Sequence, residues 1–146
     1  MVCGRPWQAL LGRAPCLPHS HSPSALTRPP VHANFENSGL EAGEYDVVML
    51  QFVMHELPAA PTKAMAEEAM RVLRPGGVLA LVDNDPQSPV IQGLPAPIFS
   101  LMKSTEPHSD EYYAFSQEAN LEAAGFVDVC KAAVDPRHRL VLARKP

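Results

Sequence analysis

Between Glu44 and Asp83 the sequence runs strand, helix, strand, and no other stretch constrains the fold as tightly. Tyr45-Asp46-Val47-Val48-Met49-Leu50 is short, apolar and rich in β-branched residues, as a strand buried on both faces of a parallel sheet would be. From Pro61 to Leu73 the apolar residues Met65, Ala69, Val72 and Leu73 recur at the spacing of one helix face, with Glu67 and Arg71 set to pair on the wet side. Pro61 suits the first helical turn, and Arg74-Pro75-Gly76-Gly77 stops the helix because proline cannot continue it and glycine permits a reversal. Val78 to Val82 is then a second strand, ending at Asp83.

A crossover of this length between parallel strands is almost always right-handed, which places the helix on one face of an open α/β sheet. Ligands of such sheets sit beyond the carboxyl ends of the strands. Gln51, Phe52, His55 and Glu56 follow the first strand, and Asp83, Asn84 and Asp85 follow the second, so chemistry is expected among them.

EYDVVMLQFVMHELP, a helix closing on AMRVLRPGG, and then VLALVD together resemble the central part of a class I S-adenosylmethionine-dependent methyltransferase, similar to the small-molecule type 11 subgroup. The resemblance runs from about Val31 to Pro146 and lacks the family's beginning: no GxG follows a strand, and the acid expected to hold the cofactor ribose is absent. It implies an α/β fold, a partial Rossmann-like sheet keeping strands 4-5-7-6 of the family order 3-2-1-4-5-7-6, with flanking helices. In the family an acid-containing turn before the first strand faces the adenine of S-adenosylmethionine, and Asn34, Phe35 and Glu36 fall at that place, with Asn34 where the acid is expected. The resemblance also brings backbone near Leu50, Gln51 and Phe52 to the cofactor, and His55, Glu56 and Asp83 nearer the substrate.

Histidine as a residue type suits general-base chemistry near neutral pH, and His55 stands at a strand end; the alternative is that His55-Glu56 simply orients the loop before the helix. Asp83-Asn84-Asp85 concentrates oxygen atoms, yet a hard cation needs several more and no EF-hand spacing occurs, so a hydrogen-bonding loop that lines a pocket is expected, with no metal. Ile98 to Met102, flanked by prolines, reads as a helical insertion over the strand ends. Tyr112, Tyr113 and Phe115 either join the substrate pocket or form the packing face of the next helix. Ser116 to Ala124 is expected to be a helix capped by Gly125 with Phe126 as its apolar anchor. A hairpin follows, Phe126 to Val134 and Arg139 to Arg144 about a turn at Asp135-Pro136-Arg137-His138.

Residues 1–30 differ in kind, broken by six prolines and free of acids, and are expected to be a disordered or non-homologous segment ahead of a truncated methyltransferase domain over 31–146. Their arginines and serines suit an organellar transit peptide; the alternative, which composition alone does not displace, is a mistaken gene start or a foreign exon. A cytoplasmic location is expected, or a plastid or mitochondrion if the segment is a transit peptide. The net charge of -4, with both signs mixed, gives no stripe for nucleic acid, and no apolar run approaches the ~20 residues of a membrane span. Three cysteines in no CxxC pair give no sign of a zinc site.

The function expected is methyl transfer from S-adenosylmethionine to a small molecule, by a domain that lacks its glycine-rich cofactor loop, binds the cofactor weakly and is inactive alone. The alternative is a non-catalytic interaction module derived from a methyltransferase. Either way the strand Tyr45 to Leu50 is expected to promote self-association, since no charge, proline or bulge protects the window from Val47 to Val53.

Overall fold

A computed structural model of the chain describes residues 30–146. The segment 1–30, read above as disordered, therefore lies outside the described residues except for Pro30. β1 (Tyr45–Gln51) leads through a 3-10 turn (Met54–Glu56) to α1 (Ala59–Val72) and β2 (Leu73–Asn84). Four shorter helices follow: α2 (Pro89–Gln92), α3 (Ala96–Thr105), α4 (Ser109–Ala114) and α5 (Gln117–Ala123). β3 (Val127–Ala133) and β4 (His138–Arg144) close the chain as a hairpin. The sheet order is β1-β2-β4-β3, with β1 and β2 parallel and the other two pairs antiparallel. This is the 4-5-7-6 order that the resemblance implied. Among the described residues no helix is long and apolar enough to cross a membrane.

The helical stripe lies where its period put it. Met65, Ala69 and Val72 are buried on α1, and Leu73 continues their face at the start of β2. They meet Leu79 and Leu81 from β2 and Val141 and Ala143 from β4 in one core, closed on the far side by Leu121 and Phe126. The α5 terminus has both bonds of a Schellman cap: Gly125 N–H donates to Glu122 O at 3.0 Å and Phe126 N–H to Leu121 O at 3.0 Å, with Gly125 at φ +96°. Ile98 to Met102 is helical, inside α3, as expected of an insertion.

Three local expectations change. The second strand starts at Leu73 and not at Val78, so Arg74-Pro75-Gly76-Gly77 ends the helix and also bulges within the strand. Tyr45 pairs with Leu73 and Val47 with Val78, which leaves Asp46 alone opposite the four residues between. Gly77 is required there, because a Cβ would meet Arg74 O at 2.9 Å. Gly76 N–H and Gly77 O bond to Lys145 O and Lys145 N–H, which stitches the bulge to the chain's end.

Arg71 pairs with Glu68, not Glu67. Arg71 Nε and Nη2 reach the Glu68 carboxylate at 2.7 Å each, and Ser38 donates its N–H at 2.9 Å and its hydroxyl at 2.5 Å to the same group. Glu68 wins over the i,i+4 partner because it also holds the loop before β1, which Arg71 grips as well by donating to Leu40 O. These donors, Arg71 first, hold the Glu68 carboxyl down at about 2 against the opposing effect of burial. A folded pKa below the unfolded one contributes stability above the unfolded value near 4.5 and loses it as pH falls from there towards 2. Allowing for solvent screening at this rim position, the loss is expected to be about 1–2 kcal/mol. Urea titrations at pH 7 and pH 2.5 measure it, and Glu68→Gln is expected to flatten that part of the pH dependence.

β1 is covered on one face only. Val48 and Leu50 pack against the core, whereas Val47 and Met49 are each 58% exposed, so the strand is not buried on both faces. The reason is topological: α1 lies over one face of β1, and no described element covers the other.

Candidate active site

β1 and β2 run parallel, so their carboxyl ends deliver Gln51 to Glu56 and Asp83 to Asp85 to the same edge of the sheet. Phe52 turns the chain there at φ +55°, a left-handed conformation that costs a residue with a Cβ about 1 kcal/mol. Its N–H is held by Val82 O at 2.9 Å and its ring rests against His138 at 5.0 Å. The 3-10 turn follows, anchored by fully buried Met54, and lays His55 over the end of β2.

His55 and Asp83 form the centre of the site. Asp83 Oδ1 is 2.7 Å from His55 Nδ1, and Asp83 Oδ2 accepts the His55 backbone N–H at 3.2 Å. Asn84 N–H donates to Oδ1 as well, at 2.7 Å. An ionised carboxylate only accepts, so in the neutral imidazole this bond places the proton on Nδ1 and leaves the lone pair on Nε2. The His55 side chain is 13% exposed and that of Asp83 4%, so the pair is largely shielded from solvent. Glu56 Oε1 lies 3.9 Å from Nε2 on a side chain that is 70% exposed, so Glu56 is a loose neighbour rather than a second orienting group.

Tyr112 closes the site from α4. Its hydroxyl donates to Asn84 O at 2.5 Å and its ring stands edge-on to His55 at 6.4 Å. Burial raises the Tyr112 pKa strongly, the Asp83 charge adds to that, and Arg139 opposes it, so Tyr112 stays a neutral donor. Tyr112 thus both packs in the core and walls the site. Tyr113 meets Phe99 of α3 at 6.0 Å.

Asp83 and Asn84, expected in a loop, end β2 paired with Arg139 and His138, and only Asp85 begins the loop. Asp85 Oδ1 accepts from Gln87 N–H at 3.0 Å and Asp85 N–H donates to Arg137 O at 2.8 Å. Among the described residues no group of three or more histidine, cysteine or acidic side chains is arranged to hold a metal.

The residues expected to face the cofactor divide. Phe35 and Leu50 come together in an apolar cavity of about 240 Å³ between β1 and α1, walled also by Tyr45, Val48 and Met65. Asn34 turns inward on its own loop: its side-chain oxygen accepts from Glu36 N–H at 3.1 Å and its carbonyl from Asn37 N–H at 3.0 Å. Gln51 and Phe52 lie exposed at the end of β1. Arg139 went unremarked in the sequence, and it is nearly buried beside Tyr112. Counting back in twos from Val141 along β4 would have placed it on the core face.

This sheet, with its order and flanking helices, has the class I S-adenosylmethionine-dependent methyltransferase fold. The sequence agrees, for residues 18–81 match the type 11 methyltransferase domain family, and that match begins inside the proline-broken segment. No curated protein sequence matches the chain. Among solved structures it is similar to phosphoethanolamine N-methyltransferase 2 of Haemonchus contortus, crystallised with S-adenosylmethionine, with a TM-score of 0.59 and 12% identity over 77% of this chain and 36% of that one. Human N-acetylserotonin methyltransferase with S-adenosylmethionine is similar with a TM-score of 0.54 and 18% identity, over 78% of this chain and 32% of that one. A possible exported protein from Bordetella parapertussis reaches 0.50 and 23%, over 72% of this chain and 40% of that one. The chain therefore spans two-fifths or less of the length of these structures, and at such identities the likeness concerns the fold.

Proposed function

We propose that this chain provides the acceptor side of a site for methyl transfer from S-adenosylmethionine to a small molecule, with His55 as general base. The observation that carries the reading is the 2.7 Å contact between His55 Nδ1 and buried Asp83 at the joined ends of β1 and β2. Asp83 holds the tautomer and orientation in which Nε2 accepts a proton from the acceptor's hydroxyl or amine as its lone pair attacks. Bound S-adenosylmethionine supplies a methyl group activated by a sulfonium. Tyr112 excludes water from one side of the imidazole, and Glu56, at the rim, stays in reach of Nε2.

The residues present fit that cofactor in part. Phe35 and Leu50 offer an apolar wall of the kind a purine lies against, but the Asn34 side-chain oxygen is already engaged by Glu36 N–H. No GxG turn follows a strand in the sequence to bring backbone donors close. Each missing hydrogen bond removes about 0.5–1.5 kcal/mol, and more where a charged group is involved. Binding of S-adenosylmethionine by this chain is therefore expected to be much weaker than micromolar. Calorimetry on the purified chain tests this, and micromolar affinity would show that the cofactor pocket is more complete than proposed.

A second reading is favoured by Val47 and Met49, which stand exposed side by side on the uncovered face of β1. In it the domain serves as an interaction module or associates with itself through this strand. Labelled methyl transfer into candidate small acceptors separates the two, because the module reading expects none under conditions that saturate the cofactor.

A further inference from the structure

Arg139 is 6% exposed, and its guanidinium lies beside the Tyr112 side chain. Nη2 is buried without a partner, and Nη1 has only the Glu118 carboxylate at 3.6 Å, beyond hydrogen-bonding distance. The ring of Tyr112 below it, 5.9 Å away, can stabilise the charge but accepts no strong hydrogen bond. A guanidinium carries five donors, and leaving a buried nitrogen such as Nη2 unmatched is costly unless something else occupies it.

Arg139 lines a cleft of about 360 Å³ between the loop after β2 and the junction of α4 with α5. The other polar groups there are Gln87, Tyr113, Ser116, Glu118 and Lys131. The Tyr113 hydroxyl is a second buried group with no partner. Lys131 Nζ sits 3.1 Å from Gln87 Oε1 and 3.9 Å from Glu118 Oε1. One carboxylate is therefore shared by two cations, and the side chains that line the cleft carry a net positive charge.

The geometry points to a binding site for a compact oxyanion, a carboxylate or a phosphate monoester, held by Arg139, Tyr113 and Lys131. Guanidinium and carboxylate or phosphate match in planar, two-pronged fashion, which a lone ammonium would not provide. Tyr112 touches both Arg139 and His55, so the cleft and the base share a wall. An acidic group anchored here would belong to the methyl acceptor; that role rests on the function proposed above, whereas anion binding itself does not.

The test is titration of the ¹⁵N-labelled chain with inorganic phosphate and, separately, with propionate, against chloride at equal ionic strength. Saturable amide shifts at Gln87, Phe115, Ser116 and Lys131 are expected with at least one of the two, and the stronger binder tells a phosphate ester from a carboxylate. Arg139→Met is expected to abolish them. Glu118→Gln removes the competing carboxylate from a partly exposed position and is expected to tighten binding by at least about threefold, a result that does not depend on Arg139→Met folding. No saturable shift with either anion, or unchanged affinity in Glu118→Gln, overturns the inference. Saturable binding by a chain that transfers no methyl group even when joined to the amino-terminal half of a class I methyltransferase would leave it standing and remove the function proposed above.

Discussion

Replacing His55 with Gln is expected to lower methyl-transfer turnover by roughly a hundredfold or more while cofactor affinity stays nearly unchanged. Gln keeps a polar group of similar reach but has no lone pair basic enough to take a proton. Asp83→Asn should cost a comparable factor by a different route. An amide in place of the carboxylate can donate to Nδ1, which moves the ring proton to Nε2 and removes the base without removing the imidazole. Glu56→Gln, at a side chain 70% exposed, should change little. Where the chain alone binds cofactor too weakly to assay, the measurement is made with it joined to the amino-terminal half of a class I methyltransferase. Unchanged turnover in His55→Gln would leave proximity and orientation as the main catalytic devices and would assign the Asp83 contact to loop positioning.

Lysine at Val48 and lysine at Val47 should have opposite outcomes, although the two residues are neighbours. Val48 pairs with Leu79 and packs on the core under α1, so an ammonium there must be desolvated or must displace the helix. The loss of valine burial and the buried charge together are expected to cost about 3 kcal/mol or more, a large fraction of a small domain's total stability. Val47 points the other way and is 58% exposed, so Val47→Lys should alter stability by less than about 0.5 kcal/mol. The added charge on an exposed strand face should instead raise solubility and shift the chain towards monomer in sedimentation. The bulge opposite Asp46 lies ahead of the Val47 to Val53 window and does not protect it. A native protein that sediments as a monodisperse monomer at tens of micromolar would show that this face is covered, and the self-association reading would fail.

Much of the fold was legible because its signals are local. A period of 3.6 in Met65, Ala69 and Val72, and Gly125 followed by Phe126, each state one backbone event that needs no distant partner. The hairpin and the sheet order followed from the same local grammar together with the family resemblance. The residues of the dyad were also visible as strand-end positions, since two parallel strands must finish on the same edge.

What the sequence could not decide were choices between locally equivalent options. Val47 to Leu50 is apolar on both faces, so nothing in its pattern says which face α1 covers. Glu67 and Glu68 both lie within helical reach of Arg71, and Ser38, thirty positions away in the chain, selects Glu68 by donating twice to its carboxylate. The pairing of His55 with Asp83 spans 28 positions and exists only because the 3-10 turn folds back over β2. Arg139 looks like any charged residue at a strand start until three elements close around it and leave its Nη2 unmatched. In each case the deciding energy is desolvation and hydrogen bonding between segments remote in sequence, and those are set only when the sheet and its helices are assembled.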